Sequence, residues 1–107
     1  MGTWGTKPLD SDDAGDLVDK IAHPLIRNIE RVATSRSRDM SDEYQTARAS
    51  IEILVRMDQG FRGFKKEAVL ALRRMLDDAE WIEAWKRPKE IRSELMRQLQ
   101  IVQRARD

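Results

Sequence analysis

The chain contains no cysteine, one histidine, three prolines and five glycines in 107 residues. Without thiols there is neither a disulfide framework nor a thiolate metal site, and this usage fits a reducing compartment. His23 stands alone, so no pair of imidazoles is available to hold zinc. No apolar run approaches the about 18 residues that cross a bilayer, and no signal-peptide core opens the chain; both features predict a cytoplasmic protein with no membrane partner. Charge of one sign is also lacking. A formal net charge of +1 supplies no overall drive toward nucleic acid. A glycine-rich phosphate loop, a nucleophile elbow, a paired-histidine zinc motif and an RNP-type aromatic pair are all missing. A protein that is not an enzyme and carries no cofactor is the expectation.

What the chain does have is charge in blocks and helical periodicity. Charged residues make up 36% and hydrophobic ones 40%, enough for one modest core in a single domain spanning residues 1–107. Asp10, Asp12, Asp13, Asp16 and Asp19 form an acidic approach with no base between them. Arg62, Lys65, Lys66, Arg73 and Arg74 form a basic block relieved only by Glu67, and Asp77, Asp78, Glu80 and Glu83 reverse it. Most such blocks are solvated helix faces whose ends match the helix dipole.

The apolar residues fall at steps of three and four. Ala14, Leu17, Val18, Ile21, Ala22, Leu25, Ile29 and Val32 predict a first helix from about Asp12. His23-Pro24 predicts a kink or break in it, with a second helical piece from Pro24 to about Thr34. Residues 35–41 read as a linker. Ser41 or Asp42 opens the next helix, faced by Tyr44, Ala47, Ile51, Leu54 and Val55 and closed near Gly60. After a short turn at 60–63, a third helix carries Phe64, Ala68, Ala71, Leu72, Met75 and Leu76. Asp77 to Glu80 cap a short piece bearing Trp81 and Trp85, four apart and so on one side, where they wedge between helices. Pro88 suits the first turn of the last helix, which runs to about Gln103 on Ile91, Leu95, Leu99 and Val102. Met57, Met96 and Ile101 are apolar in excess of one core.

The opening residues Met1-Gly-Thr-Trp-Gly-Thr-Lys-Pro-Leu-Asp-Ser-Asp-Asp13 are more distinctive. Trp4 between Gly2 and Gly5 is expected to lie flat on the bundle, because glycine lets the backbone approach closely and the indole buries a large area. Asp10-x-Asp12-x-Ala14-Gly15 echoes a calcium loop, but Ala14 and Ile21 stand where oxygen ligands belong. These aspartates read instead as the N-cap and first turn of the first helix.

This opening resembles that of the DUF4259 family of small bacterial proteins, whose usual form is M-G-[AT]-W-G-T-G-x-F-[DE]-N-D-[DT]-A. Ala68 to Asp77 and Trp81-Ile-Glu-Ala-Trp85 resemble the second half of that family. Lys7, Leu9 and Ser11 depart from its usual Gly, Phe and Asn. The resemblance implies an all-helical bacterial cytoplasmic protein and brings no catalytic residues with it.

The fold expected is all-α: a compact bundle of four to five helices, with the Trp4-bearing arm of residues 1–11 packed on it. The function expected is recognition of a protein partner through surface complementarity, as in an immunity protein or other antagonist in bacterial conflict. The candidate partner-binding residues are Asp10, Asp12, Asp13, Asp16, Asp77, Asp78 and Glu80. The alternative is a nucleic-acid-binding regulator using Arg62, Lys65, Lys66, Arg73 and Arg74. A self-associating helical domain, a homodimer, stands beside both.

Overall fold

A computed structural model of the chain describes residues 12–36, 40–57 and 61–105, with only the backbone for 12–15. It consists of α1 (Asp12–Thr34), α2 (Ser41–Arg56), α3 (Lys65–Asp77), α4 (Ala79–Glu83) and α5 (Pro88–Arg104), with no strand among the described residues. The Trp4 arm, Asp10 and Gly60 lie outside the described residues.

Each helix forms where an apolar stripe finds a partner. Tyr44, Ala47, Ile51 and Leu54 of α2 are buried, as are Ala68, Ala71, Leu72 and Met75 of α3 and Leu95, Leu99 and Val102 of α5. Side chains of this size contribute about 1.5–3 kcal/mol each when fully buried, Ala47, Ala68 and Ala71 less. Among the described elements, α3 is in contact with all four other helices and forms the central strut. Pro88 occupies the first turn of α5, where its missing N–H costs nothing. Met40, within the expected linker, is buried beneath the start of α2.

Two expectations for the first helix require correction. Of the kink or break expected at His23-Pro24, the break does not occur: α1 continues as one helix through Pro24 to Thr34. Lys20, His23 and Pro24 are all exposed. The carbonyl that loses its donor therefore sits on the watered side, while Ala22 and Ile29 hold the other side to the core. The second correction is that the apolar face is only half used. Ile29 and Val32 are fully buried, but Leu17 and Ile21 are 58% and 47% exposed.

Tertiary hydrogen bonds set how the helices align. Asn28 Nδ2 donates to Ser50 Oγ at 3.2 Å, fixing the register of the antiparallel α1–α2 pair. Lys65 Nζ, at the start of α3, donates to the Ala105 carbonyl at the end of α5 at 2.7 Å. Phe64 N–H donates to the Phe61 carbonyl across a turn in which Gly63 has φ +86°, a left-handed conformation that a side chain disfavours.

Candidate functional site

An open groove of about 740 Å³ lies where α1, α3 and α4 meet. Leu70, Arg73, Arg74 and Asp77 line it at spacings of three and four, and so form one stripe of α3. Ala33 of α1 and Ala79 of α4 are small enough to give it depth, and Glu80 closes one end. Leu70 is 43% exposed and supplies an apolar floor.

Two of the lining charges are committed to the fold. Asp78 Oδ1 accepts from the Trp81 N–H at 3.1 Å and so caps α4. Its Oδ2 accepts from the Tyr44 hydroxyl at 3.1 Å, tying the α3–α4 corner to α2. Burial pushes the Tyr44 phenol above its ordinary value. The Arg74 guanidinium donates to the Val32 carbonyl at 2.9 Å and to the Ser35 carbonyl, closing the C-terminal end of α1, where a cation is favoured. Arg73, Asp77 and Glu80 are the exposed charges of the groove.

The groove brings together residues that sequence reasoning had sorted into rival sites. Asp77, Asp78 and Glu80 from the partner-binding set share it with Arg73 and Arg74 from the nucleic-acid set. The rest lie elsewhere. Asp16 is exposed near the start of α1, roughly 25 Å along the helix axis from Ala33. Asp12 and Asp13 belong to the first turn of α1, and their side chains fall outside the described residues. Arg62 and Lys66 are exposed near the opposite end of α3, and Lys65 is turned onto Ala105. The five candidate cations therefore do not form one continuous outward face.

A second polar cluster joins α2 to α5, and sequence reasoning missed it. Arg97 donates to Glu52 and to Glu94, both at 2.8 Å. The Arg97 hydrogen bond holds the Glu52 carboxyl below the usual glutamate range. Gln98 is buried and donates from Nε2 to the Arg48 carbonyl at 2.9 Å, while its Oε1 finds no partner. Arg48 lies 6.0 Å from the Trp85 ring centroid, and burial lowers its guanidinium below the ordinary arginine value. Trp81 meets Tyr44 and Trp85 edge-on, at 5.0 and 5.9 Å between centroids. Both tryptophans are half-buried, so they wedge at the bundle's edge and not in its centre. The Arg97–Glu52 pairing spans 45 residues, and no local spacing rule reveals a contact of that kind.

Among the described residues no group of three or more His, Cys, Asp or Glu side chains is placed to hold a metal ion. No described helix is long and apolar enough to cross a membrane. Comparison with protein-family models, with curated proteins and with solved structures returned no match.

Proposed function

We propose that this chain is a non-enzymatic binding module that recognises a protein partner through the α1–α3–α4 groove. One observation carries the reading: an apolar floor at Leu70 is rimmed by exposed charges of both signs, Arg73 against Asp77 and Glu80. Rims of this kind steer partners and fix their register, and a small apolar centre supplies affinity. An immunity protein or antagonist in a bacterial cytoplasm suits such a module. Membership of the DUF4259 family, drawn from the opening motif and the second-half resemblance, belongs to the same proposal. The nucleic-acid reading draws less support, because Lys65 and Arg74 donate to backbone carbonyls.

Affinity capture from nuclease-treated host lysate, read by mass spectrometry, tests the proposal. The native chain is expected to retain one stoichiometric protein, and the Asp77→Lys/Glu80→Lys variant to lose it while keeping its helical circular-dichroism spectrum. Equal recovery with both chains rejects the groove. Recovery that disappears with nuclease supports the basic residues instead, and recovery of the chain alone supports self-association.

A further inference from the structure

Among the described residues, Gln98 Oε1 is the only buried side-chain polar atom without a hydrogen-bond partner. The residue itself is 3% exposed. Its amide cannot be turned round, because Nε2 donates to the Arg48 carbonyl at 2.9 Å and to Glu52 Oε1 at 3.3 Å, and both are acceptors. An acceptor left empty in such a place carries a desolvation cost that a donor recovers. Gln98 also lines a groove of about 300 Å³ between α2 and α5, with Arg48, Glu52 and Arg56 on the α2 wall and Arg97 beside it on α5.

The charges around that acceptor do not balance. Glu52 is the single acid of the groove wall against three arginines. Its carboxylate is already engaged by Arg97 at 2.8 Å and by Arg56 at 3.6 Å. Arg97 has a second acid in Glu94, also at 2.8 Å. Arg48 has none: its guanidinium forms no ion pair among the described residues, and Glu94 acts on it only at longer range. Arg48 is half-buried beside Trp85, where burial disfavours its charge. The groove thus presents one unneutralised cation and one unfilled acceptor.

We propose that this groove binds the C-terminal end of a peptide chain, with the terminal carboxylate on Arg48 and the last peptide N–H on Gln98 Oε1. A carboxylate matches the surplus of a single positive charge and suits the planar guanidinium. In a C-terminal residue the N–H and the carboxylate share one Cα, so donor and anion arrive together. The competing occupants each meet only one of the two needs. A water molecule fills the acceptor but leaves Arg48 unneutralised. A phosphodiester neutralises Arg48 but carries no hydrogen for Gln98. A free amino acid brings an ammonium group among three arginines, which repel it. Trp85, half-buried and adjoining Arg48, offers an apolar surface to the last side chain of the peptide. This groove shares no residue with the one between α1, α3 and α4, so the inference stands apart from the function proposed above.

The test is a titration of the full, isotope-labelled chain with an acetylated tripeptide ending in leucine, read by nuclear magnetic resonance. Saturable shifts are expected at the Gln98 side-chain amide and at the Arg48 Nε–H. Amidating the peptide's carboxylate is expected to weaken binding at least about tenfold, the scale of one charge-assisted hydrogen bond. Replacing its last N–H by an ester oxygen removes the hydrogen that Gln98 accepts, and is expected to weaken binding about three- to tenfold. Arg48→Gln should lose the peptide while keeping its helical circular-dichroism spectrum, because that guanidinium holds no ion pair in the fold. Absence of shifts at both groups with millimolar peptide overturns the proposal. So does equal binding of the acid and amide forms, of the peptide and its ester, or by the native chain and Arg48→Gln. Inorganic phosphate that moves the same signals as strongly as the peptide also overturns it, and leaves a general anion site.

Discussion

Asp78 does more for this structure than its sequence context suggests. One carboxylate oxygen caps α4 through the Trp81 N–H, and the other receives the Tyr44 hydroxyl from a different helix. Removing the carboxylate therefore removes a cap and leaves a buried phenol without its acceptor. Asp78→Ala is expected to cost about 1–3 kcal/mol. Asp78→Asn retains an oxygen for the cap and should recover much of that loss. Its neighbour Asp77 is exposed and makes no such bonds, so Asp77→Ala should stay within about 0.5 kcal/mol of the native chain. Urea unfolding followed by circular dichroism separates these outcomes. A loss at Asp77 equal to that at Asp78 contradicts the assignment of one residue to the fold and the other to the rim. The same distinction holds among the basic residues, where Arg74 closes the end of α1 and Arg73 remains outward.

At the scale of the element, Pro24 shows where local rules give way to packing. A proline in a helix interior costs about 3 kcal/mol relative to alanine, and α1 bears that cost because Ala22, Ile29 and Val32 anchor it on both sides of the lesion. Pro24→Ala restores the missing donor on an exposed face. It is expected to stabilise the fold by about 1–3 kcal/mol, read as a rise in Tm. No change in Tm means that α1 already compensates the lost bond in some other way. Much of the remaining fold was legible from spacing alone: the start of α2 at Ser41, the capped corner at Asp78, and Pro88 in the first turn of α5. These features depend on residues within one or two turns of each other. The groove was legible only in pieces, since Asp77 and Arg73 stood out by charge while Ala33, the far wall, carries no signal of its own. The roles of Lys65 and Arg74 were not legible, because the carbonyls they reach lie 40 and 42 residues away.

For the whole molecule, α3 determines whether the parts stand or fall together. It is the helix against which α1, α2, α4 and α5 all pack, and Leu72 and Met75 on its inner face are completely buried. Truncating Leu72, which is fully buried in the core cluster, leaves a cavity there. Leu72→Ala is expected to cost about 2–5 kcal/mol, a large share of the roughly 5–15 kcal/mol that holds a domain of this kind together. Because no helix has a core of its own, the loss should appear as one earlier transition. In a Trp4→Phe background, far-UV circular dichroism, which reports the five described helices, and tryptophan fluorescence, which then reports the α2–α4 edge through Trp81 and Trp85, should coincide. Separate transitions would mean that α1 or α5 unfolds independently of α3. Leu70 lies on the outer face of the same helix and is 43% exposed, so Leu70→Ser should leave this transition nearly in place while weakening partner capture. The two substitutions two residues apart thus separate the face of α3 that builds the molecule from the face that offers it to a partner.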